Sequence, residues 1–130
     1  MENCTGTNSL YRVNAKKNKD CGFTIVNCTN VKINRCVSNN NTNYGYNLDG
    51  NKADSGYRYC VNMKDSSSSY NGKIGIRVVN SEQNNIQSTV SENNGDTGIY
   101  SDNCQAVTLN MFESHNNNGN GASINNTSIV

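Results

Sequence analysis

The 130-residue sequence predicts an all-β solenoid in which short strands stack in parallel register. Three features support this: a glycine that recurs about every 23 residues, apolar residues that alternate with polar ones around it, and Asn-rich polar phrases between them. Only 33% of the residues are apolar, the mean hydropathy is -0.77 and the net charge is +1. Low hydrophobicity alone indicates disorder, but the period favours a repeat fold over low complexity.

The recurring glycines divide the chain into coils. They are separated by 23, 30, 23 and 23 residues, and alternation after each one predicts a strand. A second strand is predicted about twelve residues earlier. The glycines are Gly22, Gly45, Gly75, Gly98 and Gly121. The apolar residues twelve positions before them are Leu10, Ile33, Met63, Ile86 and Leu109.

About five coils follow from this spacing, and the third one is expanded. A coil of this length cannot close a core alone, so coils are expected to stack about 4.8 Å apart. The phrases "SNNNTNY", "SENNGDT" and "SHNNNGN" are predicted as turns, since Asn and Gly tolerate left-handed backbone. Seven extra residues in the third coil are expected in "DGNKADSGYRYC" and "DSSSSYNG", as loops on one flank.

The stretch "GFTIVNCTNVKINRCVSNNNTNYGYNL" resembles the right-handed parallel β-helix repeat of pectin-lyase-like proteins, including phage tailspikes. The resemblance covers Leu10 to Ile124 and implies one module over residues 1–130, in a longer or oligomeric assembly. Trimeric tailspikes imply a homotrimer. It also implies a stacked amide ladder of Asn27, Asn80 and Asn103, interrupted at Tyr57. The same fold supports lyases, hydrolases, epimerases and adhesins, so the resemblance indicates the fold more than the function.

The six cysteines fall in different columns of the repeat, and only Cys4 and Cys28 come within one position of each other. Reduced, mostly buried thiols are therefore expected, together with folding in a reducing cytoplasm. One His and no C-x-x-C pair predict no metal, and no cofactor is expected. No signal peptide or long apolar run is found, so no membrane partner is predicted.

Four residues are weak catalytic candidates. Asp49 and Asp102 share one column but lie two coils apart, about 10 Å, with Val79 between them. Glu92 and His115 lie in adjacent coils about 5 Å apart, as a pair able to share a proton. Glycoside hydrolysis requires two carboxyl groups about 5 to 9.5 Å apart. Solvated turn residues are the simpler interpretation of all four, so no catalytic residue is assigned.

Exposed aromatics with polar neighbours predict contact with sugar rings. Arg77 and Tyr100 face outward in neighbouring coils, where guanidinium and phenol are expected to stack. The small net charge argues against nucleic acid as a partner. The predicted substrate-binding residues are Asp54, Tyr57, Tyr59, Tyr70, Arg77 and Tyr100.

The expected function is that of a non-catalytic module of a tailspike-like or tail-fibre-like viral or phage appendage. It would lie on the virion or extracellular surface and contact cell-surface polysaccharide. Two alternatives stay open: a polysaccharide lyase or glycoside hydrolase, and a structural module of a bacterial surface or periplasm.

Overall fold

All regular secondary structure in the part of the chain described here is β. The computed structural model describes residues 1–50 and 59–129. The strands are β1 (Asn8–Tyr11), β2 (Asn14–Lys16), β3 (Phe23–Val26), β4 (Val31–Asn34), β5 (Val37–Asn39), β6 (Tyr46–Asp49), β7 (Cys60–Lys64), β8 (Ser67–Ser69), β9 (Ile76–Val79), β10 (Gln83–Gln87), β11 (Val90–Glu92), β12 (Ile99–Asp102), β13 (Ala106–Asn110), β14 (Glu113–His115), β15 (Ala122–Asn125) and β16 (Ser128–Ile129).

The strands form three parallel sheets that wind into a solenoid of about five coils. Sheet 1 has the order β1-β4-β7-β10-β13-β16, sheet 2 the order β14-β11-β8-β5-β2, and sheet 3 the order β15-β12-β9-β6-β3. The chain visits the three sheets in turn, and each circuit is one coil. The predicted all-β solenoid is thus confirmed. Within the described ranges there is no helix that could cross a membrane.

The register matches the columns predicted from the glycine spacing. Leu10, Ile33, Met63, Ile86 and Leu109 are successive partners in sheet 1. Their inward side chains form the core with those of the other sheets, and Ile33 and Ile86 are fully buried. In sheet 3 the rings of Phe23 and Tyr46 stack with centroids 4.8 Å apart. In-register stacking therefore places like residues in contact along the axis.

One local prediction is right only in part, and another is wrong. The Asn-rich phrases contain the predicted turns, but their first two residues belong to sheet 2 strands, where Ser38 and Ser91 point inward and are fully buried. The stretch "DSSSSYNG" is not expanded, since β8 pairs with β11 at the ordinary offset of 23 residues. The extra residues of the third coil all lie between β6 and β7.

Apart from the corner after β6, where Gly50 stands outside this region, each corner of the described coils begins with a residue in the left-handed backbone region. The φ angles of these residues lie between 44° and 56°. Asn tolerates this region better than other non-glycine residues, which explains why the repeat contains so much Asn. The columns are Arg12, Arg35, Asp65, Ser88 and Met111 after sheet 1; Lys17, Asn40, Tyr70, Asn93 and Asn116 after sheet 2; and Asn3, Asn27, Asn80, Asn103 and Asn126 after sheet 3.

All six cysteines are free, as predicted. Cys28, Cys36 and Cys104 are buried and pack as small apolar residues. Burial raises the pKa of the Cys28 thiol, which keeps it protonated at neutral pH. Cys4 lies against Cys28, with its backbone N–H 3.4 Å from the sulfur.

Candidate functional site

A ladder of inward-facing Asn side chains runs through the corner between sheets 2 and 3. The Nδ2 of each Asn donates to the Oδ1 of the next over 2.8–3.0 Å, and each backbone N–H donates to the same oxygen. The three central members are at most 2% exposed. The ladder stabilises the corner because every buried amide is paired. Its members are Asn18, Asn41, Asn71, Asn94 and Asn117.

A serine supports each rung except the first. In the third coil Asn71 Nδ2 donates to Ser68 Oγ at 3.1 Å, and Ser68 Oγ donates to the carbonyl of Gly75 at 2.8 Å. The same contacts recur in the second, fourth and fifth coils, whereas the first coil has Ala15 in the serine column. The spacing Ser-x-x-Asn-x-x-x-Gly is the sequence signal of this ladder, and the prediction of turns in these phrases did not include it.

The ladder predicted in another column exists only in part. Asn103 Nδ2 donates to Asn80 Oδ1 at 2.9 Å, as expected. Asn80 Nδ2 instead donates to the carboxylate of Asp49, and Asn27 Nδ2 donates to Asn3 Oδ1. Tyr57 lies outside the described residues. This column therefore lies near the surface, and the buried amide ladder is the one that contains Asn41, Asn71 and Asn94.

An open groove lies beside the buried ladder, and four of its eight lining residues directly precede ladder members. It has a volume of about 490 Å³. Tyr70 is 59% exposed and lies at its edge, on the flank of the third coil. We call this feature the corner groove. Its lining residues are Asn40, Tyr70, Asn71, Asn93, Asn94, Gly95, Asn116 and Asn118.

Gly95, which lines the corner groove, stacks closely on the backbone of the preceding coil. A Cβ at Gly95 would collide with the carbonyl oxygen of Gly72, and a Cβ at Gly72 would collide with that of Thr42. Only glycine fits at these positions without displacing the coil beneath. The groove is therefore lined by six Asn residues and one tyrosine, with Gly95 as the one lining residue without a side chain.

Tyr70 shares left-handed backbone with other residues that are neither Asn nor Gly, such as Lys17 in the same column, but among them it is the one aromatic residue. Its φ is 54°, in the column where the second, fourth and fifth coils have Asn40, Asn93 and Asn116. Left-handed backbone costs an ordinary residue about 1–2 kcal/mol, and a bulky residue there is an outlier. The third coil thus tolerates a strained residue that places an exposed ring beside three amides.

The chemistry of the corner groove suits recognition of neutral hydroxyl groups. Asn amides offer both donors and acceptors, and a tyrosine ring offers an apolar face with a polar tip. None of the lining residues is charged. The groove can therefore hold a sugar by stacking and hydrogen bonding, but it offers no carboxylate for acid or base catalysis.

The other predicted binding residues do not join Tyr70. Tyr59 was predicted to be exposed for contact with sugar, but it is buried. It directly precedes β7, where the chain has returned to the core after the inserted residues. Asp54 and Tyr57 lie outside the described residues. Arg77 and Tyr100 lie on the outer face of sheet 3, where they are register partners.

The predicted stacking of Arg77 on Tyr100 is wrong. The guanidinium lies 5.8 Å from the ring centre of Tyr44 instead. Its Nη1 donates to Asn47 Oδ1 at 2.7 Å and lies 3.7 Å from the carboxylate of Asp49. Polar partners in the preceding coil therefore draw the side chain away from Tyr100.

The structure pairs one of the two sets of catalytic candidates. His115 Nδ1 lies 3.4 Å from Glu92 Oε2, with both side chains partly exposed, as the equal offsets predicted. Asp49 and Asp102 are separated by Val79 in the register. Each of these two carboxylates instead accepts from a local Asn amide.

Within residues 1–50 and 59–129, no three His, Cys, Asp or Glu side chains converge as metal ligands would. Comparison of the chain with protein-family models, curated proteins and solved structures gives no match.

Proposed function

We propose that the chain is a non-catalytic module of a viral or phage surface appendage, similar to a tailspike or tail fibre, that contacts cell-surface polysaccharide through the corner groove. The observation that supports this is Tyr70: an exposed aromatic ring at a corner with left-handed backbone, in a groove that Asn40, Asn93 and Asn116 also line. Among the described corner residues with this backbone, Tyr70 is the one aromatic side chain.

Binding without cleavage fits the groove's chemistry. Polysaccharide hydrolysis requires two carboxyl groups beside the scissile bond, and the corner groove is lined by none. An exposed sugar ring would stack on Tyr70, and the Asn amides of the groove would form hydrogen bonds with its hydroxyl groups. Of the predicted substrate-binding residues, Tyr70 is therefore placed at the centre of the proposed site, on the flank of the third coil.

Polysaccharide hydrolysis is the second candidate, and the Glu92 and His115 pair favours it. These residues directly precede Asn93 and Asn116, which line the groove. The pair can share a proton across 3.4 Å. It contains one carboxylate, however, where hydrolysis needs two.

Binding to capsular and O-antigen polysaccharides tests the proposal. Tyr70→Asn restores the residue of the other coils and should reduce binding by roughly tenfold or more without lowering the melting temperature. The matched control is Tyr100→Ser, which removes a tyrosine from sheet 3 instead. The new serine matches Ser123, the register partner of Tyr100 in the following coil. It should bind as the parent protein does.

Unchanged binding by Tyr70→Asn would overturn the corner groove as the site. New reducing ends or unsaturated sugars that disappear in Glu92→Gln would assign the protein to the enzyme class instead. Trimeric association stays part of the proposal and is checked by light scattering, which should give three times the 14.2 kDa of one chain.

A further inference from the structure

Charge is unevenly distributed along the solenoid, although the net charge is only +1. Residues 1–40 contain six Lys or Arg residues and two Asp or Glu residues. Residues 41–130 contain five Lys or Arg residues and eight Asp or Glu residues. The first coils are therefore basic and the later coils acidic. This asymmetry produces a local field that the net charge conceals.

Five residues at the basic end cluster on sheet 1 and at its corner: Tyr11, Arg12, Lys32, Arg35 and Lys64, here called the basic strip. Arg35 Nη1 donates to the Tyr11 hydroxyl at 3.3 Å. The guanidinium of Arg12 lies 5.1 Å from the centre of the same ring. All five side chains are exposed. Two guanidinium groups thus converge on one phenol.

Among the described residues, none of the four cations of the basic strip lies in an ion pair with a carboxylate. One carboxylate, Asp65, follows Arg12 and Arg35 in their corner column, so the strip has four cations to one anion. Holding like charges close together is unfavourable unless a counterion or ligand compensates. The arrangement is thus suited to an oxyanion that both Arg and Lys can reach.

Neutral amides continue the same face beyond the cations. Lys32 pairs with Asn62 and Lys64 pairs with Asn34 in the register of β4 and β7. Strand spacing and rise place the two lysine positions about 8 Å apart on a diagonal. In the following coils Asn62, Gln83, Asn85 and Asn110 line an open groove of about 460 Å³. The face therefore alternates cations with amides and then becomes neutral.

We propose that the basic strip and this adjoining groove form a second binding site, for an acidic polysaccharide. Carboxylate or sulfate groups would pair with Arg12, Lys32, Arg35 and Lys64, and neutral hydroxyls would bond the amides. Nucleic acid fits less well, because its phosphates are closely and evenly spaced, whereas the cations are confined to the strip and the adjoining groove is lined by uncharged residues. The site lies on sheet 1, away from the corner groove, and does not depend on the function proposed there.

Binding of labelled hyaluronate, which has one carboxylate in each disaccharide, tests this site. The parent protein should bind it at low ionic strength and release it at high ionic strength. Lys32→Gln/Lys64→Gln and, separately, Arg35→Gln should each lower the affinity by roughly tenfold or more. The matched control is Lys73→Gln, which removes an exposed cation at the corner between sheets 2 and 3. This variant should bind hyaluronate as the parent protein does. Neutral dextran should not bind the strip, and Tyr70→Asn should leave hyaluronate binding unchanged.

Three results would overturn the proposal. One is no binding of hyaluronate or dextran sulfate at low ionic strength. Another is equal loss in Lys73→Gln, which would indicate diffuse attraction. The third is tighter binding of a single-stranded oligonucleotide than of either polysaccharide, which would reassign the strip to nucleic acid. Because Tyr70→Asn affects only the corner groove, failure of one site is distinguishable from failure of the other.

Discussion

Two Asn-rich columns lie side by side at the corner between sheets 2 and 3, and consecutive residues of the chain enter opposite environments. Asn93 lies at the outer surface with left-handed backbone, whereas Asn94 is 1% exposed and hydrogen-bonded to the coils on both sides. The inner column contains Asn in every coil, while the outer one also contains Lys17 and Tyr70. Composition alone therefore hides two roles, which burial separates: the inner amides hold coils together, and the outer residues are available to a partner.

Replacing an inward residue of sheet 1 should have the largest effect. Ile86→Asp would bury an unpaired charge where the side chain is fully enclosed, at a cost of about 4 kcal/mol or more. We expect loss of the cooperative unfolding transition and of the far-UV strand signal. The control is Asn85→Asp, one residue earlier and exposed, which should melt within a few degrees of the parent protein. A native melting curve for Ile86→Asp would disprove the assigned face.

Two neighbouring serines of β8 sharpen the same comparison. Ser68→Ala removes the acceptor of Asn71 Nδ2 and the donor to the Gly75 carbonyl in a buried position. The expected loss in unfolding free energy is about 1–2 kcal/mol. Ser69→Ala, on the outer face of the same strand, should cost less than about 0.5 kcal/mol. Equal effects in chemical denaturation would show that the serine contacts add nothing to the ladder. A natural counterpart exists in the first coil, where Ala15 occupies the serine column.

Much of this fold could be predicted because apolar alternation and glycine spacing report burial directly. The same counting placed Glu92 beside His115, since residues with equal offsets become register partners. Polar burial was harder to predict. Asn40 and Asn41 have the same side chain, although Asn40 belongs to the outer column and Asn41 to the inner one. In the sequence, only the Ser three residues before Asn41 and the Gly four residues after it distinguish the inner residue.

Long side chains and polar neighbours limited the rest of the prediction. The strand register gives the neighbours of Arg77, but its long side chain can reach either Tyr44 or Tyr100. Nearby polar groups determine that it lies over Tyr44. Counting from glycines places Tyr59 sixteen residues before Gly75, in the column of Thr29 and Glu82. Because those neighbours are polar, the column gave no signal of the burial of Tyr59.

Removing the Glu92 and His115 contact should have the smallest effect. Both side chains are partly exposed, and exposed ion pairs contribute about 0–1 kcal/mol. Glu92→Gln should therefore shift the unfolding free energy by less than about 1 kcal/mol and leave polysaccharide binding unchanged. Denaturation and binding curves of the variant beside those of the parent protein check both expectations. A loss of binding equal to that of Tyr70→Asn would extend the site to sheet 2 and remove the proposed separation of roles.

Urea unfolding of Asn94→Ala and Asn93→Ala tests the central claim most directly, since the two variants delete the same side chain from adjacent residues. Asn94→Ala removes the acceptor of the Asn71 backbone N–H and of its Nδ2, and the donor to Asn117 and Ser91. We expect a loss of about 2–4 kcal/mol in unfolding free energy for Asn94→Ala and less than about 1 kcal/mol for Asn93→Ala. Equal unfolding midpoints for the two variants, or a larger loss in Asn93→Ala, would contradict the division between an inner column that holds the coils and an outer column free to bind.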